Sequence, residues 1–329
     1  MLSTTLQEYL DRDTIMSGVV DWLVKESPLT GVLPHMKIQG NAYKYNVSLT
    51  LPTASWVKRG QQLSESTGTF EQRTTDIYTL IQTGYTSQEA IDLNVTQDPE
   101  AVDVKLAAQA MAHEFEKTLI IGRTSVDSST NQFKGLLKIV AELESATTTD
   151  LDAINNDQII AGTTSTGALT MAKMDELVDQ IKPGKPDFLL MSRKMRRKLT
   201  ALQRASGSGV SMIDSKLFGL VMSSYDEIPI YVSDWVLNNY IEGSSSVQTI
   251  VDYDFDAAAV AGTNENSVIF AMQIGEDKVS ALHAGEMKHV REEFVEDFFA
   301  VANRFSWYCG AACFKKYSLA CMTGVNPGD

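Results

Sequence analysis

The stretch YKYNVSLTL, residues 43–51, constrains this chain more than any other. Tyr43, Tyr45, Val47, Leu49 and Leu51 alternate with Lys44, Asn46, Ser48 and Thr50, the period-two pattern of a strand, and Pro52 ends it. A polar run follows, TASWVKRGQQLSESTGTFEQRT, and then a second strand-like run, DIYTLIQTGY. Two strands flanking a polar stretch predict a long hairpin with a loose tip. A two-stranded hairpin in water is marginally stable at best, so this one needs something else to lie on.

The next element looks able to serve. In QDPEAVDVKLAAQAMAHEFEKTLIIG, Asp98 can cap a helix, Pro99 suits its first turn, Glu100 favours its positive end and Gly122 can close it. Val104, Ala107, Met111, Phe115 and Leu119 fall on one face. A helix over 99–121 would run about 35 Å at about 1.5 Å per residue, long enough to act as a spine. Before the hairpin, RDTIMSGVVDWLVKE places Ile15, Val19, Trp22 and Leu23 at helical spacing, and Pro28, Gly31 and Pro34 then break the chain.

From about residue 130 to 290 helices and strands take turns, which predicts a mixed α/β layer. A helix in TMAKMDELVDQIKPG leads to a strand DFLLMS, a basic helix RKMRRKLTALQRA, a Gly/Ser loop at 206–211, then KLFGLVM. YDEIPIYVSDW, IEGSSSVQTIVDYDFD and NSVIFAMQIG follow. Pro229 cannot donate to a ladder, so its strand is expected at an edge or with the proline near one end. Near the C-terminus Val301, Asn303, Phe305, Trp307 and Cys309 alternate again, and YSLACMTGV closes the chain.

Composition excludes several function classes. With 329 residues, 43% hydrophobic and 21% charged, the chain has the make-up of a folded domain or two, not of a disordered segment. Net charge of −14 repels phosphate backbones and argues against a dedicated nucleic-acid binder. No apolar run is long enough for a membrane span, and MLSTTLQEYLDRDTIM is no secretory signal. The three cysteines, Cys309, Cys313 and Cys321, form an odd and sparse set, expected as reduced thiols in an intracellular setting.

The search for chemistry returns little. His113 lacks the second histidine of a zinc-protease helix. His283, Glu286 and His289 have a spacing that fits no usual metal site, and Cys309 with Cys313 has no second pair. GSG at 207–209 lacks the context of a phosphate loop, and no nucleophile motif is present. The basic run Arg193, Lys194, Arg196, Arg197 and Lys198 reads first as the wet face of a helix whose Met195, Leu199 and Leu202 pack inward. Inter-subunit ion pairs through Arg193, Arg196 and Arg197, or contact with nucleic acid, are the alternatives. Ser233 and Asp234 read as turn chemistry at a strand end. No enzyme activity, cofactor or metal is expected. A soluble α/β enzyme would have only His283, Glu286 and Asp234 to work with.

Taken in order, these pieces resemble the major capsid proteins of tailed bacteriophages. SPLTGVLPHMKIQGNAYKYNVSLTLPTASWVKRGQQLSES is similar to that family's arm and extended loop. QDPEAVDVKLAAQAMAHEFEKTLIIG resembles its spine helix, and NQFKGLL the segment after it. PDFLLMSRKMRRKLTAL, LFGLVMSSYDEIPIYVSDW and SVIFAMQIG resemble its axial domain, with Glu227 where many relatives carry glycine. WYCGAACFKKYSLACMTG resembles the closing strands of its peripheral domain.

The resemblance implies an α+β capsid fold: an arm over 1–40, an extended hairpin loop over 41–90, a peripheral domain over 91–130 and 285–329, and an axial domain over 131–284. It implies hexamers and pentamers in an icosahedral shell around double-stranded DNA, assembled in the host cytoplasm and ending as the virion head. A portal protein would be a partner, and a decoration protein is a further candidate. The extended loop would meet a neighbouring subunit through Trp56, Lys58, Arg59, Glu65 and Phe70. Arm and loop occupy all the residues before the spine, so any scaffolding protein is expected to be separate rather than fused. Lys58 lies in the loop where some relatives crosslink to a neighbour's asparagine, but in an unspecific context, and no crosslink is expected. The same fold serves encapsulin compartments and the herpesvirus capsid floor, so an encapsulin-like shell is the alternative.

Overall fold

The computed structural model describes residues 28–50, 52–60, 62, 65–93, 99–124, 129–143, 156–162, 168–205, 215–217, 220–238, 266–293 and 299–326. The amphipathic stretch with Ile15, Val19, Trp22 and Leu23, the cap at Asp98, the 206–211 loop and the IEGSSSVQTIVDYDFD segment lie outside them. The elements of the first half are α1 (Pro28–Val32), β1 (His35–Lys37), β2 (Ala42–Thr50), β3 (Thr69–Asp76), β4 (Tyr78–Ser87), α2 (Gln88–Asp92), α3 (Pro99–Ile121) and α4 (Leu136–Ala141). Next come β5 (Ile159–Ala161), α5 (Met171–Asp179), β6 (Phe188–Met191), α6 (Arg193–Ala205), β7 (Ser215–Leu217), β8 (Leu220–Met222), β9 (Ser224–Tyr225) and β10 (Ile228–Val232). The chain ends with β11 (Ser267–Met272), β12 (Val279–His283), β13 (Lys288–Glu292), β14 (Ala300–Cys313) and β15 (Leu319–Val325).

Helix α3 organises the molecule. Its predicted stripe, Val104, Ala107, Met111, Phe115 and Leu119, is buried together with Ala108, Ala112 and Ile120. One flank packs on β14, where the odd-numbered residues Phe305, Trp307 and Cys309 point inward and the Phe115 and Trp307 rings lie 4.8 Å apart. The same core takes in Phe188, Leu190, Val268, Phe270 and Met272 from a second sheet, so α3 and α4 bind the two sheets into one interior. Gly122 ends the helix where the chain must pass closely: its carbonyl accepts from Gly135 N–H at 2.9 Å, and an added Cβ would lie 2.7 Å from the Phe133 carbonyl.

The first sheet has the order β1-β12-β14-β13, with β4 along the other edge of β14. The second has the order β5-β15-β11-β6-β10-β9. β11 is buried throughout and apolar from Val268 to Met272 because both its faces are covered. Val268, Phe270 and Met272 join the α3 core, while Ile269 and Ala271 pack with Met174, Leu177, Met195 and Leu199 of α5 and α6. No described helix is long and apolar enough to cross a membrane.

One expectation changes. The strand paired with β2 is β3, TFEQRTTD, and not DIYTLIQTGY, which as β4 leaves the hairpin and runs beside β14 from Tyr78↔Cys309 to Ser87↔Ala300. Both faces of β3 carry polar groups, so the alternation that marks a half-buried strand is missing there. Of the strands near the C-terminus, β12 pairs with β14, while β15, the last strand, pairs with β11 in the second sheet.

Candidate functional site

The hairpin projects from the body, and its tip spans the residues between β2 and β3. Trp56 in the tip is 104% exposed and Phe70, at the start of β3, 72%, with Val57, Lys58, Arg59 and Glu65 also exposed. The turn toward the tip uses Gly60 at φ +85°, and the strands are joined near their open end by Thr50 and Thr69, whose hydroxyls lie 2.7 Å apart. Among the described residues β2 and β3 pair with each other alone. The five loop residues expected to meet a neighbour therefore share one exposed region, with large apolar groups where water gives them no favourable partner.

The root of the hairpin is fixed differently. The Tyr45 hydroxyl donates to the Cys313 carbonyl at 3.2 Å, and Tyr43 and Tyr45 meet Phe314 edge-on at 5.8 and 4.9 Å. Arg73 Nη2 donates to the Leu143 carbonyl at 2.9 Å and to Glu71 at 3.2 Å. A cavity of about 120 Å³ sits between root, α4 and β14, lined in part by Tyr45, Arg73, Lys134, Glu142 and Cys313. Burial raises the Tyr45 phenol and pushes the Cys313 thiol up to about 11, so neither loses a proton readily. Cys309, buried nearby on β14, is likewise pushed up to about 12. These thiols are packing groups rather than nucleophiles.

A second polar constellation lies where β10 ends. Ser233 Oγ donates to Glu116 of α3 at 2.5 Å and accepts from Trp235 N–H at 3.3 Å, and the Trp235 ring meets His113 edge-on. The serine acts as expected within its turn, but its bond to Glu116 is long-range and leaves no trace in the sequence. Asp234 is bound by Arg193 through two bonds of 2.6 and 3.0 Å, which raise the Arg193 guanidinium further. Arg193, one of three arginines considered for inter-subunit pairing, is thus engaged within its own chain. Arg196 and Arg197 are exposed on α6.

The proline of IPIYV sits near one end of its strand, as expected. β10 pairs with β9 through Ile228 and Pro229, and its parallel pairing with β6 begins only at Ile230, so the missing N–H faces no acceptor. Asp226 and Glu227 form the two-residue turn before it with φ of +48° and +69°. A tight turn of that kind needs left-handed backbone at both positions, which is why glycine suits position 227.

Of the residues considered for chemistry, Glu286 lies within electrostatic reach of His283, while Asp234 does not join them. His283 ends β12 beside His35, with ring centres 6.2 Å apart, and burial together with His35 and Lys37 lowers its pKa. His289 stacks on Phe305 and bonds Asn303 at 2.9 Å. That bond belongs to a network tying α3 to β13 and β14. Glu100 accepts from Arg291 at 2.6 and 3.1 Å and from Asn303 at 3.0 Å, which holds its carboxyl below the usual range. Asp234 lies in the turn after β10 of the second sheet. Among the described residues no group of three or more metal-binding side chains occurs.

The profile of the phage capsid family matches residues 8–272. No curated protein matches the chain. Among solved structures, the holo-SrpI encapsulin complex from Synechococcus elongatus PCC 7942 is similar over 92% of this chain and 88% of its own, at 16% identity and a TM-score of 0.62. The capsid of a native GTA particle also reaches a TM-score of 0.62, at 13% identity over 91% and 90% of the two chains. A chain of Mycobacterium phage Bobi has a TM-score of 0.58 at 14% identity over 90% and 89%.

Proposed function

Because the chain belongs to the phage capsid family, we propose that it is the major capsid protein of a tailed bacteriophage. It is a structural protein and not an enzyme. In this reading copies of the chain form hexamers and pentamers that close into an icosahedral head around double-stranded DNA. The head assembles in the host cytoplasm, with a portal protein and, where present, separate scaffolding and decoration proteins.

The observation that carries the reading is the hairpin, whose two strands, among the described residues, pair with each other alone and whose tip holds a fully exposed Trp56. A lone two-stranded ribbon with large apolar groups at its end gains stability only when a second surface covers it. Ring and shell contacts supply such a surface through heterologous interfaces that close by rotation. Trp56, Lys58, Arg59, Glu65 and Phe70 are then contacts to the adjoining subunit. The division into arm, extended loop, peripheral and axial parts follows the same scheme.

Negative-stain microscopy of the purified protein tests this. Rings or closed shells are expected, and the double substitution Trp56→Ala with Phe70→Ala is expected to abolish them while leaving the melting temperature of the subunit unchanged. A monodisperse monomer at high concentration would overturn the reading. Shell diameter and nuclease-protected DNA separate a phage head from an encapsulin-type compartment, which shares the fold.

A further inference from the structure

The second sheet carries opposite charge at its two ends. Strands β6 and β10 are parallel, paired from Ile230↔Leu189 to Val232↔Met191. At their C-terminal end α6 begins, with Arg193, Lys194, Arg196, Arg197 and Lys198 in its first two turns. Asp234 answers Arg193 there, and among the described residues no ion pair engages Arg196 or Arg197. At the N-terminal end lies the Asp226–Glu227 turn, and Asp175 reaches it by accepting from the Tyr225 hydroxyl at 2.5 Å. Asp179 follows one turn later on α5, and Lys185 answers Asp226 at 2.6 Å, with Asp179 and Glu227 both exposed. The five residues of β10 hold the two ends apart by roughly 15 Å, at about 3.3 Å per residue. Within one chain the two charged ends therefore do not meet.

We propose that these ends are the two halves of one contact: Arg196 and Arg197 of each copy dock against Asp179 and Glu227 of the next copy around the ring. The proposal rests on the capsid reading and names the partner surface for its basic helix. A ring built from one kind of contact needs two different, complementary patches on every subunit, set apart so that rotation closes the circle. A basic helix end and an acidic turn at opposite ends of one sheet satisfy that requirement, and the pairing also disfavours a reversed neighbour, which would set like charges together. Lys194 and Lys198 are half-buried along the helix flank, and Arg204 lies at its far end, so none of them belongs to the contact.

Two charge reversals test it. Arg196→Glu with Arg197→Glu makes both ends acidic, and Asp179→Lys with Glu227→Lys makes both ends basic. Each variant alone should need at least about tenfold more protein to form rings or shells than the unmodified chain. Mixed in equal amounts they should recover six-membered rings, in which the two kinds alternate, but not five-membered ones. Normal assembly of either variant alone, or no recovery on mixing, would overturn the proposal while leaving the capsid reading standing. If the unmodified chain forms no rings, both fall. Should a reversal fail to fold, the neutral pair Arg196→Gln with Arg197→Gln serves. Raising salt from about 0.05 to about 0.5 M should weaken assembly of the unmodified chain and change that of the neutral variant little. Equal salt sensitivity in both would overturn the contact.

Discussion

Replacing Ser233 by alanine removes a hydroxyl from a site that is 3% exposed and leaves Glu116, 9% exposed, without a donor that stands 2.5 Å away. A hydrogen bond to a charged group contributes about 1.5–3 kcal/mol, and the lost bond from Trp235 N–H adds about 1 kcal/mol. The expected cost is therefore about 2–4 kcal/mol, a shift of roughly 1 M in urea midpoint at a slope of about 2–3 kcal/mol per M. Much of that cost is the penalty of a carboxylate left buried and unanswered. Removing the carboxylate as well should recover part of it, so Ser233→Ala combined with Glu116→Leu should be less destabilised than the sum of the two single changes by about 1.5–3 kcal/mol. Urea unfolding of the unassembled subunit measures this, and Trp235, which touches both partners' surroundings, reports locally by fluorescence. Costs that add to within about 0.5 kcal/mol would refute the reasoning, because groups that do not interact behave independently.

Three further outcomes follow from local geometry. Glu227→Gly relieves a left-handed backbone at φ +69°, and the melting temperature of the subunit should rise, by an equivalent of about 1 kcal/mol. Gly122→Ala drives a methyl to 2.7 Å from the Phe133 carbonyl, and thermal unfolding should register a loss of about 2–4 kcal/mol. The Glu100 carboxyl is held below its ordinary value of 4.5 by Arg291 and Asn303, so its contribution to stability is fully present above that pH and fades as pH falls through the lowered value. Unfolding of Glu100→Gln at a series of pH values from 7 to about 3 should show a shallower acid decline than the unmodified subunit.

How much could be read from the residues alone is clearest element by element. The 99–121 helix needed nothing but its own sequence, because Pro99 at the start, Gly122 after the end and an apolar residue at each third or fourth place are local signals. Strands β2 and β14 were legible for the same reason, each with one face in the core and a strict alternation. β3 was not, since its half-buried face is built from Glu71, Arg73 and Thr75, polar residues that lack the apolar contrast on which a periodic signal depends. The exposed tip could be anticipated from its polar composition and its place between strands, and the basic helix from its charges.

The sequence by itself thus determined the local elements and, through the order of its segments, the family. It also marked Ser233 and Asp234 as turn residues at a strand end. Only the tertiary structure decided which strand pairs with which and how that turn is held. β15 lies beside β11 rather than β14, and Ser233 meets Glu116 across 117 positions of chain. It also divided the arginines, assigning Arg193 to Asp234 and leaving Arg196 and Arg197 facing outward. The physical reason is common to all three. A residue's own type and spacing set its propensity and its burial, but a hydrogen bond, an ion pair or a strand register belongs to two residues at once. Which second residue arrives is settled by packing of the whole core, and no local pattern records it.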